Sequence, residues 1–133
     1  MVDKNHAIVL LSGGQDSTTC LFWAKEQFEN ITAVNISYGQ RHIVEIEAAR
    51  KISKLANVEL VELQFPIFKQ IGGSAMLEGD GVVCEDRGDG LPSTFLPGRN
   101  IIFLTIAAVL GISKDCGNLV TGVCQTDFSG YPD

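Results

Sequence analysis

The stretch that decides the fold runs from His6 to Ser17 and reads "HAIVLLSGGQDS". Its first half is a continuous apolar run with β-branched residues, which is typical of a strand buried on both faces of a parallel sheet. A helix is predicted to begin near Asp16 or Ser17 and to run to about Phe28. The glycine pair lies at the start of that helix, where exposed backbone N–H groups favour bound anions. The pattern therefore predicts an anion site between strand and helix.

The rest of the chain repeats the alternation of strand and helix. Strands are also predicted at 31–38 and 117–123, and at 58–65, where apolar and polar residues alternate. An amphipathic helix is predicted from Ile43, with its apolar positions at helical spacing, and a buried helix from Arg99 to about Ser113. The apolar positions of the first of these helices are Ile43, Ile46, Ala49, Ile52, Leu55 and Ala56. Three alternations predict right-handed crossovers and an α/β fold with a doubly wound parallel sheet.

Three loops follow the predicted strands at the edge where such sheets bind ligands. They read "SGGQDS", "SYGQRH" and "CQTDFSGYPD". The glycine-rich segment 72–97 lacks periodicity and is predicted to be a long loop, with a lid over the substrate as a working hypothesis.

Composition narrows the classes of partner. The 133 residues carry a net charge of −6, which argues against direct nucleic-acid binding and against an anionic membrane surface. The longest apolar stretch, 101–112, is shorter than the ~18 residues of a membrane span. The four cysteines form no C-x-x-C pair, so we expect a cytoplasmic protein without a metal site of paired cysteines.

The loop chemistry leaves Asp16 with two interpretations. The Walker pattern and the Rossmann glycine pattern are both absent, which disfavours the usual NTPase and dinucleotide sites. Asp16 either complements the helix dipole as a first-turn residue, or holds Mg²⁺ against a polyphosphate.

The string "SGGQDS" resembles the S-G-G-x-D-S signature of the PP-loop ATP pyrophosphatases. The resemblance implies a Rossmann-like fold of the adenine-nucleotide alpha-hydrolase type. It also implies that ATP is cleaved between its α and β phosphates, with Asp16 and Ser17 as catalytic residues. The residues expected to contact ATP are Leu10, Leu11, Ser12, Gly13, Gly14, Gln15, Asp16, Ser17, Thr18, Thr19, Cys20, Tyr38 and Gln40.

Longer segments resemble the 7-cyano-7-deazaguanine synthase (QueC) family of queuosine biosynthesis. They are "LLSGGQDSTTC", "YGQRH" followed by Glu45, "FLPGRN" and "TGVCQTDFSGYPD". The resemblance implies that ATP with Mg²⁺ adenylates 7-carboxy-7-deazaguanine, that ammonia gives an amide, and that further ATP dehydrates the amide to the nitrile preQ0.

The same resemblance assigns the substrate side of the site. Arg99 is expected to contact phosphate or the substrate carboxylate, and is counted as catalytic. The expected substrate-binding residues are Arg99, Asn100, Asp127, Ser129 and Tyr131. Two plainer interpretations stay open, namely that "PGRN" simply starts a helix and that "DFSGYPD" is an ordinary polar turn. Arg41 and His42 are further predicted site residues.

The chain departs from the family in one respect. Family members continue through further helices to a cysteine cluster that binds structural zinc, and this chain holds none of those ligands. Residues 1–133 are therefore expected to form a single PP-loop domain, incomplete at its carboxyl end, with Zn²⁺ only in full-length members. An apolar sheet face left uncovered would favour association, for example as a homodimer. The alternative functions are a non-catalytic ATP-binding module with a partner chain, or another PP-loop enzyme such as a tRNA thiolase or an amidotransferase synthetase.

Overall fold

A computed structural model of the chain describes residues 2–37, 43–67, 70 and 99–122. Strands and helices alternate over this part of the chain, and the predicted elements are confirmed with bounds shifted by a few residues. The elements are β1 (Asp3–Leu10), α1 (Gln15–Gln27), β2 (Asn30–Ser37), α2 (Ile43–Ala56), β3 (Glu59–Gln64), α3 (Arg99–Ser113) and β4 (Cys116–Val120). The predicted loop at 72–97 lies outside the described residues.

The four strands form one sheet in the order β3-β2-β1-β4, and each neighbouring pair is parallel. Ile8 of β1 pairs with Thr32 of β2 on one side and with Leu119 of β4 on the other. The chain thus moves outward from β1 to β3 and then returns to the far side of β1. The strand order reverses between β1 and β4, which is where open α/β sheets bind ligands.

Helices cover both faces of the sheet, as the doubly wound prediction requires. On one face Val9 and Leu11 pack with Leu21 of α1 and Ala49 of α2. On the other face Ile8 packs in one cluster with Val34, Ile36 and Ala107 of α3. Ala7, Ile8 and Val9 are fully buried because β1 is central and covered on both faces. Each large apolar side chain buried in this way stabilises the fold by about 1.5–3 kcal/mol.

The prediction that α3 is a buried helix is wrong. Ile101, Val109 and Ile112 are 67%, 62% and 76% exposed. The buried residues of α3 are the small Ala107 and Gly111, which lie one turn apart and face the sheet. A helix that packs on one sheet face buries one stripe, and the apolar residues on its other side then stay exposed.

Leu55 of α2 is a second correction. It was expected on the apolar face, yet it is 82% exposed. Ala49, Ser53 and Ala56 are buried at spacings of four and three residues and define the contact stripe of α2. Leu55 precedes Ala56 by one residue, so it points about 100° away from that stripe.

Within the part of the chain that the structure describes, no helix combines the length and the hydropathy needed to cross a membrane.

Candidate nucleotide site at the carboxyl edge of the sheet

A cavity of about 300 Å³ opens at the carboxyl edge of β1, β2 and β4. Its walls come from the loop after β1, the end of β2, the start of α3 and the two residues after β4. The lining residues are Leu10, Leu11, Ser12, Ser17, Val34, Asn35, Ile36, Glu45, Arg99, Asn100, Phe103, Thr121 and Gly122. The topology therefore brings Ser12 and Ser17 to one cavity with Arg99 and Asn100, which lie far away in the sequence.

Gly13 lets the loop lie directly against α2. Its φ angle is +94°, in the region that side-chain-bearing residues rarely adopt. A Cβ atom at this position would lie only 2.5 Å from the backbone oxygen of Glu45 and 3.1 Å from Cβ of Ala48. Both the turn and the close approach thus require glycine here.

Two serine hydroxyls join the ends of the loop. The Ser12 N–H donates to Oγ of Ser17 at 3.1 Å, and the two hydroxyl oxygens lie 3.0 Å apart. The Gly14 N–H donates to Oγ of Ser12 at 3.2 Å. These bonds hold the strand end and the first turn of α1 in one compact arrangement, with both serines on the cavity wall.

The loop leads into the N-terminus of α1. Gly14 is the N-cap residue and makes no side-chain capping bond, and Asp16 lies in the first turn. The N–H groups of a first helical turn have no acceptor within the helix, and they carry the positive end of its dipole. Hydroxyl groups, N–H groups and a helix N-terminus form a donor set that suits phosphate oxygens.

Arg99 and Asn100 supply the facing wall. They are the first residues of α3, half-buried, and they line the cavity beside Phe103. An arginine here places a permanent positive charge at the site. Arg99 and Asn100 thus line the same cavity as Ser12 and Ser17, while the roles assigned to them stay predictions.

The other predicted residues of α1 do not line this cavity. The hydroxyls of Thr18 and Thr19 donate to the carbonyls of Gly14 and Gln15, at 2.7 Å and 3.0 Å, and their protons are used within the helix. Asp16 is exposed and directly precedes Ser17.

Cys20 also lies on α1, next to the end of β4. Burial of its thiol, and secondarily the negative charge of Asp16, raise the pKa of Cys20. The thiol is therefore protonated at neutral pH and is a poor nucleophile.

Several predicted residues fall outside the described part of the chain. They are Tyr38, Gln40, Arg41, His42, Asp127, Ser129 and Tyr131.

Sequence reasoning missed a set of cavity residues. They are Val34, Asn35, Ile36, Phe103, Thr121 and Gly122. Asn35 carried a signal, because it is the one amide inside the apolar run "AVNI" of β2. Phe103 carried none, since it is one of many apolar residues in α3.

Among residues 2–37, 43–67, 70 and 99–122, no group of three histidine, cysteine or acidic side chains is placed to hold a metal ion. A single carboxylate such as Asp16 is still a suitable Mg²⁺ ligand where phosphate oxygens complete the coordination.

Comparison with known proteins shows which proteins the chain is similar to. The family model described as "Queuosine biosynthesis protein QueC" matches residues 6–133. A 7-cyano-7-deazaguanine synthase from Lysinibacillus sphaericus (strain C3-41) is 50% identical over 130 residues, which cover 98% of this chain and 59% of the relative. The enzyme of the same name from Staphylococcus saprophyticus is 47% identical over 99% of this chain and 59% of its own length. The one from Chromobacterium violaceum is 50% identical over 96% of this chain and 56% of its own length. The chain thus spans less than two thirds of the length of these curated relatives. Since the family model covers nearly all of its residues, the chain belongs to the QueC family of queuosine biosynthesis proteins.

Proposed function

We propose that this chain binds ATP and activates a carboxylate in the reaction for which its relatives are named, the synthesis of 7-cyano-7-deazaguanine. The observation that carries the proposal is the convergence of Ser12 and Ser17 with Arg99 and Asn100 around one cavity. Its volume of about 300 Å³ lies at the lower end of the range for small-molecule sites. Its position at the reversal of strand order supports a nucleotide ligand.

In the proposed reaction, a carboxylate oxygen of 7-carboxy-7-deazaguanine attacks the α-phosphorus of ATP. The bond to the bridging oxygen breaks, and pyrophosphate leaves with the electron pair. Ammonia then attacks the acyl carbon of the adenylate and AMP departs, which gives the amide. A second ATP activates the amide oxygen in the same way, and loss of AMP and protons yields the nitrile.

The residues of this chain act on the charge that the first step develops. The N–H groups of the first turn of α1 bind the phosphate oxygens, with Ser12 and Ser17 adding hydroxyl groups. Gly13 lets the loop adopt the required turn. Arg99 offsets negative charge on the phosphates or orients the carboxylate, and fixed charges of this kind are a large term in catalysis.

Mg²⁺ fits a site where a carboxylate lies beside bound phosphate oxygens. Asp16 would hold the ion together with phosphate oxygens, and the bound ion would neutralise charge on the pyrophosphate. Tyr38 and Gln40 on the nucleotide side, and Asp127, Ser129 and Tyr131 on the deazaguanine side, remain predictions. We further propose that the reaction takes place in the cytoplasm, in keeping with the free thiols of Cys20 and Cys116.

The test is incubation of the chain with ATP, Mg²⁺, ammonia and 7-carboxy-7-deazaguanine, with products followed by mass spectrometry. We expect AMP and the nitrile, and no nitrile when ammonia is left out. Asp16→Asn keeps the side-chain size but removes the charge, so it should slow pyrophosphate release strongly. Unchanged release in that variant would contradict the metal role of Asp16. ATP binding without turnover in the wild-type chain would contradict the enzymatic proposal and favour an ATP-binding module that acts with a partner chain.

A further inference from the structure

Asn35 is a buried polar side chain in the middle of an apolar strand. It lies between Val34 and Ile36 of β2, and only 4% of its surface is exposed. A buried amide is costly unless its groups are hydrogen-bonded. Asn35 also lines the cavity at the carboxyl edge of the sheet, and the function proposed above assigns it no role.

The amide nitrogen of Asn35 donates to the backbone oxygen of Leu11 at 2.9 Å. The N–H of Leu11 donates in turn to the backbone oxygen of Val34 at 2.8 Å. Both backbone polar groups of Leu11 are thus held by β2, one of them through a side chain. Leu11 is the last residue before the loop and is itself 1% exposed.

The oxygen that Asn35 holds belongs to the same peptide unit as the N–H of Ser12. A peptide unit is planar and trans, so its C=O and N–H point in opposite directions. Fixing the oxygen of Leu11 therefore fixes the direction of the Ser12 N–H. That N–H donates to Oγ of Ser17 at 3.1 Å, and the two bonds form a chain from β2 to the first turn of α1.

We propose that Asn35 is a positioning residue for the phosphate-binding loop. Its amide holds the peptide unit between Leu11 and Ser12, and through the Ser12 N–H it also positions the hydroxyl of Ser17 before ATP binds. The inference rests on the proposed ATP function and adds to it a residue outside the "SGGQDS" signature. Pre-organised donors bind more tightly because less ordering occurs on binding.

The test compares Asn35→Leu and Asn35→Asp with the wild-type chain. Leucine keeps a similar volume without a donor, and aspartate keeps the shape but can only accept at a pH high enough to ionise it. Thr32→Val is the matched control, because Thr32 is equally buried on the same strand, bonds His6 at 2.9 Å, and lies outside the cavity lining. The measurements are the Kd for Mg·ATP, the exchange rate of the Ser12 amide hydrogen without ATP, and the unfolding midpoint of each sample.

We expect both Asn35 variants to bind Mg·ATP about threefold to tenfold more weakly, the scale of one lost hydrogen bond, and to exchange the Ser12 amide faster. Thr32→Val should lose stability while it keeps the wild-type Kd. If only one of the two Asn35 variants folds, the Kd and the Ser12 exchange rate of that variant decide whether the inference holds. A folded variant with the wild-type Kd would overturn the inference, as would an unchanged Ser12 exchange rate. Failure of the wild-type chain itself to bind Mg·ATP would instead overturn the proposed function.

Discussion

Replacement of Gly13 by alanine tests how the loop is built. The alanine would have to adopt a φ of +94°, and its Cβ would lie 2.5 Å from the backbone oxygen of Glu45. It would also lie 3.1 Å from Cβ of Ala48 and 3.2 Å from the backbone nitrogen of Ala49. Carbon and oxygen atoms rarely approach closer than about 3.3 Å. Either the loop or α2 must therefore move.

The expected cost has two parts. The left-handed backbone conformation costs an alanine about 1–2 kcal/mol. Forcing an extra methyl group into a packed contact costs about 1–3 kcal/mol more. We therefore expect the free energy of unfolding to fall by about 2–5 kcal/mol, a large share of the stability of a typical domain. Mg·ATP binding should weaken by more than about tenfold, because the shift moves the Ser12 and Ser17 donors.

The neighbouring glycine provides the control. Gly14 has φ −80° and ψ 172°, which any residue can adopt, and the nearest atom to its added Cβ is Oγ of Ser12 at 3.4 Å. Gly14→Ala should cost only about 0.5–1 kcal/mol, the usual penalty for alanine as an N-cap. Urea unfolding followed by circular dichroism gives both free energies, and calorimetric titration gives both Kd values. Equal stability and equal ATP affinity of the two variants would refute the account of the loop.

Three further predictions concern α1, α3 and the end of β4. Gly122→Ala would bring a Cβ to 3.0 Å from Sγ of Cys20 and 3.2 Å from the backbone oxygen of Asp16, so the Tm of this variant should fall by a few degrees in a thermal melt. An unchanged Tm would argue against the contact between the end of β4 and α1. On α3, Ile112→Gln should change the free energy of unfolding by no more than about 0.5 kcal/mol, whereas Ala107→Leu should lower it by about 1–3 kcal/mol. Similar losses of stability in the two variants would show that α3 is buried on more than one side. Burial, and secondarily the charge of Asp16, raise the pKa of Cys20. The rate at which iodoacetamide alkylates Cys20, measured by peptide mass spectrometry, should therefore begin to rise at a higher pH than the rate for an ordinary thiol. Asp16→Asn should move that rise to lower pH, since it removes a charge that disfavours the thiolate, and an identical profile would exclude Asp16 as a cause.

The fold could be predicted from the sequence because its strongest signals are local. The run "HAIVLL" identifies a strand covered on both faces, and β1 is the central strand. The serines and glycines of the loop follow it directly, so their place at the sheet edge needed no distant information. Arg99 and Asn100 were proposed from the family resemblance, and they line the cavity because α3 begins at this edge of the sheet.

The errors and omissions have a different cause. The apolar composition of α3 does not say how many of its sides are covered, and Ile112 proved to be exposed because α3 packs on one sheet face only. The role of Asn35 depends on register: Leu10 pairs with Val34, which places the next residue of each strand side by side. The register between two strands that a helix separates cannot be deduced from the sequence of either strand alone, so the bond from Asn35 to Leu11 could not be predicted.

The most direct test of the central claim is how the chain cleaves ATP. The wild-type chain is mixed with ATP, Mg²⁺, 7-carboxy-7-deazaguanine and ammonia, and phosphorus NMR identifies the products. A site built from the "SGGQDS" loop and Arg99 should give AMP and pyrophosphate, and only in the presence of the carboxylate. Formation of ADP and inorganic phosphate, or no ATP consumption by the folded chain, would contradict the account.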